Sequence, residues 1–283
     1  MNPAQEDMEM RVAYQGEPGA YSEAATIKFF GPEVQPIPCA TFDEVFRQVQ
    51  TGESDRGTVP IENSLAGSIH RNYDLLLRHD LHIVGELILR VSHNLIANPG
   101  VVLADLERVY SHPQALDQCE QSLNALLPHV QRIPTYDTAG SVKLLRESDD
   151  RHAAAVASRR AAELHGMSIL RESLEDDPQN FTRFLILSRQ AIAPDLPAKT
   201  SVVFAAKNVP GALFKSLSVF ALRDIDLTKI ESRPLQGKPW EYFFYVDFVG
   251  TLREERCVNA INNLKEIASF LRVLGSYPRD LGA

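Results

Sequence analysis

The sequence has few cysteines and no long apolar run. Its 283 residues include three cysteines, Cys39, Cys119 and Cys257, and no C-x-x-C pair. Three distant cysteines predict reduced thiols, and they exclude a disulfide framework or a structural zinc site. No segment approaches the roughly 18 to 20 apolar residues that a membrane span needs. Residues 1–9 are polar and acidic, unlike a secretory signal. We therefore predict a cytoplasmic protein with no membrane partner.

Signatures of common nucleotide-binding and hydrolytic sites are also missing. There is no G-x-S-x-G elbow, no phosphate-binding loop of the G-x-x-x-x-G-K-[ST] type and no G-x-G-x-x-G after the first strand. His79 and His82 are three residues apart but lie between a leucine-rich helix and a strand, which does not favour a metal site. We expect neither a metal ion nor a cofactor.

Positive charge is scarce in the first two thirds of the chain. Residues 1–198 contain 17 Lys/Arg against 28 Asp/Glu, whereas residues 199–283 contain 12 against 9. Neither part has the dense basic cluster that a nucleic-acid partner requires. An anion bound in the acidic part must therefore be held by local N–H donors and single arginines, because the overall field opposes it.

The length predicts two or three domains, and the segment 190–198, with two prolines, is interpreted as a linker. Before it, apolar runs alternate with amphipathic stretches, which is typical of an α/β domain with parallel strands. The predicted strands are 11–15, 57–61, 87–91, 92–97, 109–111, 153–157 and 182–187, and the predicted helices include 21–30, 41–50, 113–127 and 158–165. After the linker, strands at 200–206, 228–233, 242–249 and 270–274 and helices at 211–221 and 254–268 give the order βαββαβ of a ferredoxin-like domain.

Five polar clusters lie where a predicted strand ends, which is where open α/β sheets bind ligands. They are Gly19-Ala-Tyr21-Ser22, Glu62-Asn63-Ser64, Ser111-His-Pro-Gln114 with Gln118, Asp137-Thr138-Ala-Gly-Ser141, and Asn180-Phe-Thr182-Arg183-Phe184. Free N–H groups at such helix starts suit a carboxylate or a phosphate. Each cluster taken alone is explained equally well by helix capping. The five together indicate a binding cleft.

These segments resemble the successive signatures of the prephenate dehydratase family. The matching stretches are Ala13-Tyr-Gln-Gly-Glu-Pro-Gly-Ala-Tyr-Ser22, Val59-Pro-Ile-Glu-Asn-Ser64, Ser111-His-Pro-Gln-Ala-Leu-Asp-Gln-Cys119, Asp137-Thr-Ala-Gly140 and Asn180-Phe-Thr-Arg-Phe184. Gly211-Ala-Leu-Phe-Lys215 and Glu231-Ser-Arg-Pro234 resemble the regulatory ACT domain of the same family. No chorismate mutase part precedes the first motif, so the resemblance is to the monofunctional form.

The resemblance implies an α/β fold with a two-lobed, periplasmic-binding-protein-like catalytic domain at 10–189, followed by a ferredoxin-like ACT domain at 199–283. One lobe would comprise about 10–87 plus 176–189 and the other about 88–175. The implied reaction is the decarboxylating dehydration of prephenate to phenylpyruvate on the route to L-phenylalanine, without a cofactor. The enzyme's task would be orientation and one proton transfer.

Matching motif by motif assigns roles to single residues. Thr182 corresponds to the threonine that assists departure of the ring hydroxyl, and Arg183 is expected to neutralise a substrate carboxylate. The implied substrate-binding residues are Tyr21, Ser22, Asn63, Ser64, Ser111, Gln114, Gln118, Thr138 and Phe184. Neutral donors suit a substrate that must lose its carboxylate, because a tight ion pair would stabilise the ground state.

Two alternatives remain open from the sequence. Asp137 stands where many bacterial members have serine, and 68–78 resembles plant arogenate dehydratases; a carboxylate there would favour the ammonium group of arogenate, or simply cap the next helix. A two-lobed architecture also serves ligand-binding and sensing proteins without enzymatic activity.

The resemblance also implies regulation and self-association. L-phenylalanine would bind the C-terminal part as a feedback effector through Asn208, Gly211, Ala212, Leu213, Glu231, Ser232 and Arg233. A proline and a glycine at a helix start expose N–H groups that suit an amino acid's carboxylate. ACT domains of this family pair side by side, so a homodimer or homotetramer is expected.

Overall fold

The computed structural model describes residues 9–207, 209–235 and 241–282. The chain forms two compact units, one of Met1–Asn72 with Leu87–Phe184 and the other of Tyr73–Glu86 with Leu185–Ala283. The predicted α/β fold is confirmed. Asn208 lies outside the described residues, so its predicted part in effector binding stays a prediction.

The first unit contains two sheets. The strands and helices associated with the first sheet are β1 Arg11–Gln15, α1 Tyr21–Phe30, β2 Gln35–Cys39, α2 Phe42–Thr51, β3 Arg56–Asn63, β4 Gly67–Ser68, α3 His70–Arg78 and β5 His82–Arg90. This sheet is completed by a late strand, β11 Phe181–Ser188, and its order is β2-β1-β3-β11-β5, with β4 paired to β3. Val12, Ala13 and Tyr14 of β1 are all buried, as is typical of a parallel strand covered on both faces.

Strand β2 was not predicted from the sequence because it contains two prolines, Pro36 and Pro38. Proline cannot donate to a sheet ladder, so it normally argues against a strand. Here β2 lies at the edge of the sheet and pairs only with β1, in parallel register. An edge strand tolerates the two missing donors.

The second sheet lies between β5 and β11 in the sequence. Its elements are β6 Asn94–Ala97, a 3₁₀ turn at Leu103–Asp105, β7 Arg108–Ser111, α4 Pro113–Gln118, α5 Glu120–Leu126, β8 Gln131–Pro134, α6 Thr138–Ser148, β9 Ala153–Ala157, α7 Arg159–His165 and β10 Ser168–Arg171. The strand order is β10-β6-β9-β7-β8. Strand β7 is parallel to β8 and β9, but β6 is antiparallel to both β9 and β10. The expectation of parallel strands is therefore wrong for β6, which enters directly from the first sheet and not through a crossover helix.

The helix predicted at 113–127 is interrupted at Cys119. This residue has φ −115° and ψ 15°, so α4 ends there and α5 starts anew. The carboxylate of Asp176 accepts hydrogen bonds from the N–H groups of Gln121 and Ser122, at 2.9 and 2.8 Å. These bonds cap α5 and leave Gln118 as the last residue of α4.

The second unit contains an antiparallel sheet with the order β13-β14-β12-β15. Its elements are β12 Ala198–Ala206, α8 Ala212–Ala221, β13 Leu227–Pro234, β14 Tyr242–Val249, α9 Glu255–Ile267 and β15 Ala268–Pro278. They follow one another in the predicted order βαββαβ. Buried residues of strands and helices, including Phe204, Phe220 and Phe248, form one apolar core between the sheet and its helices.

Residues 73–86 belong to the second unit, although residues 82–86 are also the first part of β5, which pairs with β11 in the first sheet. The Tyr245 hydroxyl donates to the carbonyl of Tyr73 at 2.8 Å, and Arg233 pairs with Asp74 at 3.0 Å. Lys199, 7% exposed, forms an ion pair with Glu86, 3% exposed, with 3.0 Å between Nζ and Oε1. Both charges are buried, so the pairing offsets part of the cost of removing them from water, and Glu86 Oε1 also accepts the N–H of Asp280 at 3.1 Å.

We predict that Lys199→Met lowers the free energy of unfolding by about 3 kcal/mol or more, because it removes the ammonium group that pairs with the buried Glu86 carboxylate. Urea denaturation measures the loss. Arg253→Met is the matched control, since Arg253 pairs with Asp195 at the surface and exposed pairs contribute little. Equal destabilisation by both changes would contradict this account of the buried pair.

Candidate active site

A cavity of about 360 Å³ lies in the first unit, between residues of its two sheets. Its volume is within the range of small-molecule sites. The predicted site residues that line it are Tyr21, Ser22, Asn63, Gln114, Gln118, Thr138, Thr182 and Phe184. The tertiary structure thus brings together residues from all five polar clusters. Three of the predicted site residues lie outside the lining: Ser64, Ser111 and Arg183.

Asn63 at the end of β3 fixes the orientation of the Thr182 hydroxyl. The Asn63 Oδ1 atom accepts hydrogen bonds from the N–H groups of Leu65 and Ala66, at 3.0 and 2.9 Å. Its Nδ2 group must therefore point the other way, where it donates to Thr182 Oγ1 at 3.0 Å and to Asn180 Oδ1 at 2.7 Å. Since Thr182 Oγ1 accepts this bond, its own proton is available to donate into the cavity.

The same chain of amides orients Gln118 at the end of α4. Gln118 Oε1 accepts from Asn180 Nδ2 at 2.9 Å and lies 3.0 Å from His93 Nε2. With its oxygen occupied by these two groups, Gln118 presents its NH₂ group to the cavity it lines. An amide that donates is suited to a carboxylate ligand.

Tyr21 and His93 form the far end of this network. The Tyr21 hydroxyl is 2.8 Å from the carbonyl of Ser92 and 2.9 Å from His93 Nδ1. Burial lowers the pKa of His93 and raises that of Tyr21 well above its ordinary value. Both side chains are therefore neutral near pH 7, and His93 Nε2 lies within hydrogen-bond distance of Gln118 Oε1.

Among the described residues that line the cavity, Asp137 is the only carboxylate, and none is Lys or Arg. It is the N-cap of α6, and its Oδ1 atom accepts the N–H of Gly140 at 2.9 Å. Burial raises the pKa of Asp137. The sequence left capping and ligand binding open as alternatives, and the structure shows a capping residue that also lines the cavity.

Arg183 does not line the cavity. Successive side chains of a strand point to opposite faces, so the face of β11 that presents Thr182 and Phe184 to the cavity turns Arg183 away. Its guanidinium pairs with Glu62 Oε1 at 3.1 Å, and the side chain is 9% exposed. The structure therefore does not bring Arg183 into the cavity lining, and its role in neutralising a substrate carboxylate stays a prediction.

Ser64 and Ser111 also lie outside the cavity lining, contrary to prediction. The Ser64 hydroxyl donates to the carbonyl of Gln179 at 2.7 Å and accepts from the N–H of Phe181 at 2.9 Å. The Ser111 hydroxyl is fully buried and donates to the carbonyl of Val156 at 2.6 Å. The Ser111 hydroxyl thus connects β7 to β9, and the Ser64 hydroxyl connects the turn after β3 to the residues at the start of β11.

Sequence reasoning missed His93 and left His112 without a role, although both line the cavity. His93 lies in the connection between β5 and β6, outside the five clusters, so no local pattern marked it. His112 caps α4 by accepting the Gln114 N–H at its Nδ1 atom, at 3.3 Å. Among the described residues, no group of three or more His, Cys, Asp or Glu is placed to hold a metal ion.

Comparison with known proteins identifies the family. The profile of the prephenate dehydratase family matches residues 12–192. The chain belongs to this family. It is 51% identical, over 96% of its length and 70% of the relative's, to arogenate dehydratase/prephenate dehydratase 6 of Arabidopsis thaliana. The predicted family and the prediction of an enzyme are confirmed.

Two solved structures share the fold. Prephenate dehydratase from Arthrobacter aurescens, determined in complex with L-Phe, has a TM-score of 0.89 and 33% identity, covering 95% of this chain and 90% of the other. A protein described as a novel type of quorum-quenching acylase has a TM-score of 0.89 and 35% identity, covering 96% and 98%.

The prediction of a cytoplasmic location is wrong. The Arabidopsis relative above is named chloroplastic, as are arogenate dehydratases 3 and 4 of the same plant, at 51% and 52% identity. The absence of a secretory signal carried no information about a plastid. Within the described ranges, no helix is long and apolar enough to cross a membrane.

We predict that Thr182→Val lowers kcat by roughly 10²-fold or more, the scale of a lost hydrogen-bond or proton-transfer contribution. Valine keeps the shape of threonine but removes the hydroxyl that Asn63 orients. Thr182→Ser is the control, because it retains the oxygen and should keep most of the activity. Steady-state measurement of kcat for both variants tests this prediction. A valine variant with wild-type kcat would show that the Thr182 hydroxyl takes no part in the chemistry.

Proposed function

We propose that the chain converts prephenate to phenylpyruvate, with loss of carbon dioxide and water, as a step in L-phenylalanine biosynthesis. The observation that carries this proposal is the Thr182 hydroxyl, which is buried in the cavity and whose proton is directed by Asn63. Membership of the prephenate dehydratase family supports the same reaction. Arogenate is the alternative substrate, and would yield L-phenylalanine directly.

The reaction requires one proton from the enzyme side. As the ring carboxylate leaves as carbon dioxide, its bonding electrons enter the ring, and the hydroxyl at C4 departs and takes a proton to become water. Thr182 is placed to donate a hydrogen bond to that departing oxygen. The N–H of Asn63 stabilises negative charge that develops on Thr182 Oγ1. A neutral threonine is a weak acid, so this second hydrogen bond is what makes it an effective donor.

The substrate would be held by neutral donors. Gln118 presents its NH₂ group, and α1 begins without a side-chain cap at Ala20, next to the lining residues Tyr21 and Ser22. Such a helix start binds a carboxylate through N–H groups. Because no Lys or Arg lines the cavity, the carboxylate that must leave is not trapped in a strong ion pair.

We propose that residues 10–189 act as the catalytic domain and 199–283 as a ferredoxin-like ACT regulatory domain, with L-phenylalanine as feedback effector. Gly211 is the N-cap of α8, in the left-handed conformation with φ 76°, and no side chain caps this helix. N–H groups at that helix start are suited to the effector's carboxylate. The neighbouring Ala212 and Leu213 form the first residues of the same helix.

Sheet register supports a shared effector site. Phe243 of β14 pairs with Ala205 of β12 and with Arg233 of β13. The end of β12 that leads to Gly211 therefore lies at the same end of the sheet as Glu231 and Ser232. Glu231 would receive the effector's ammonium group. The Arg233 guanidinium already pairs with Asp74, so the proposal does not depend on it.

We further propose a homodimer or homotetramer formed through this domain. Several of its large apolar side chains are exposed, among them Ile230 on the edge strand β13, at 48%. Sedimentation equilibrium measures the assembly.

The direct test of the reaction is to incubate the purified protein separately with prephenate and arogenate. We expect phenylpyruvate, detected by its absorbance in alkali, from the first and L-phenylalanine, detected by chromatography, from the second. Thr182→Val is the inactive control. If the protein turns over neither prephenate nor arogenate, the proposed function is overturned.

For regulation, we expect Gly211→Asn to raise the L-phenylalanine concentration for half-inhibition about tenfold or more, on the scale of a lost contact in a small-ligand site. Asparagine tolerates the left-handed conformation, and a Cβ at position 211 meets no atom within 4 Å. The variant should therefore keep its basal kcat and obstruct only the ligand.

Gly166→Asn is the control for this change. Gly166 also has a left-handed conformation, φ 63°, and open space at its Cβ position, but it ends α7 in the other unit. Dose–response curves for wild type and both variants make the comparison. If Gly211→Asn is inhibited as strongly as wild type, the effector binds elsewhere.

A further inference from the structure

The charges around the cavity favour a substrate that carries a cation. Prephenate brings two carboxylates, whereas arogenate brings two carboxylates and an ammonium group. The lining offers no Lys or Arg, and its single carboxylate is Asp137. A carboxylate without a cation repels a substrate that carries only negative charge, and it attracts the ammonium group of one that has it.

The nearest lysine on the same helix does not neutralise Asp137. Lys143 of α6 pairs with Glu17, with 3.2 Å between Nζ and Oε2. Asp137 has no ion pair among the residues that the structure describes. Its electrostatic neighbours include Glu17, which raises its pKa, and His112, which lowers it, while burial is the largest cause of the upward shift.

The two oxygens of Asp137 have different surroundings. Oδ1 is occupied by the Gly140 N–H, at 2.9 Å. Oδ2 faces Gly16 of the first sheet's β1–α1 loop, where a Cβ would lie 3.3 Å from it. Gln15, next to Gly16, lines the cavity. Oδ2 is therefore turned toward the β1–α1 loop, beside a residue that lines the same cavity as Asp137.

We infer that Asp137 is a specificity-determining residue, whose Oδ2 atom accepts the ammonium group of arogenate and thereby favours arogenate over prephenate. This inference rests on the proposed function, because it assumes that both compounds bind this cavity. An aspartate cap also makes the start of α6 less attractive to an anion than a neutral cap would, since its charge offsets the positive end of the helix. The preference thus has an attractive and a repulsive component.

Asp137→Asn tests the inference with little structural change. Asparagine caps helices as well as aspartate does, so its Oδ1 can still accept the Gly140 N–H while the charge is lost. We expect the ratio of kcat/KM for arogenate to that for prephenate to fall by about tenfold to a hundredfold, the scale of a lost charge interaction in a desolvated site. The decrease should come from poorer use of arogenate, better use of prephenate, or both.

Asp149→Asn is the matched control, because Asp149 is exposed at the other end of α6 and its change removes the same charge outside the cavity. Its substrate ratio should equal that of the wild type. Binding of both compounds to Thr182→Val protein, with and without Asp137→Asn, measured by calorimetry, separates recognition from turnover. We expect Asp137→Asn to weaken the binding of arogenate relative to the binding of prephenate.

Two results would overturn the inference. One is an Asp137→Asn enzyme with the wild-type substrate ratio, and the other is an equal loss with both substrates, which would make Asp137 only a helix cap. Failure of the proposed function looks different, because the wild-type protein would then turn over neither compound.

Discussion

The fixed orientation of the Asn63 amide is the interaction on which the site depends. Two backbone N–H groups, from Leu65 and Ala66, occupy its oxygen. Its NH₂ group then donates toward Asn180, Thr182 and the carbonyl of Phe181. An amide has donors on one side and an acceptor on the other, so this one choice sets the direction of the hydrogen bonds that follow.

The consequence extends from one lobe to the other. Asn180 orients Gln118 by donating to its Oε1 atom, and the same atom lies close to His93 Nε2. Asn63 and Asn180 flank strands of the first sheet, whereas Gln118 ends a helix of the second. Hydrogen bonds of this kind hold donors in fixed directions, which is how a cavity whose described lining has no Lys or Arg provides electrostatic stabilisation.

The second unit includes residues 73–86, which lie in sequence between two parts of the first unit. The cavity residues Ser68 and Ile69 come shortly before this segment, yet Tyr73, Asp74 and Glu86 bond to residues after 198. Composition and charge change at 190–198, and nothing in residues 73–86 marks them as part of the later unit. Buried hydrogen bonds and the Lys199–Glu86 ion pair decide the grouping, and both depend on residues more than a hundred positions apart.

Much of the local structure could be predicted from the residues themselves. Apolar runs predicted most strands, and the motifs predicted the family and most of the cavity lining, because turn and capping chemistry acts between neighbours in sequence. Prediction failed where a neighbour in space decided the outcome. Pro36 and Pro38 argued against the edge strand that contains them. The predicted helix is interrupted at Cys119, where Asp176, 55 residues away from Gln121, caps the helix that follows.

The sequence by itself determined which residues were available near the strand ends: Thr182, Asn63, Gln118 and Asp137, with few positive charges around them. Only the tertiary structure decided which of these face a ligand. Arg183 follows Thr182 directly, but strand alternation turns it to Glu62. His93 lies in no motif, but the second sheet places it beside Gln118. The physical reason is that a side chain's type is local, whereas its direction and its partners are set by packing between distant segments.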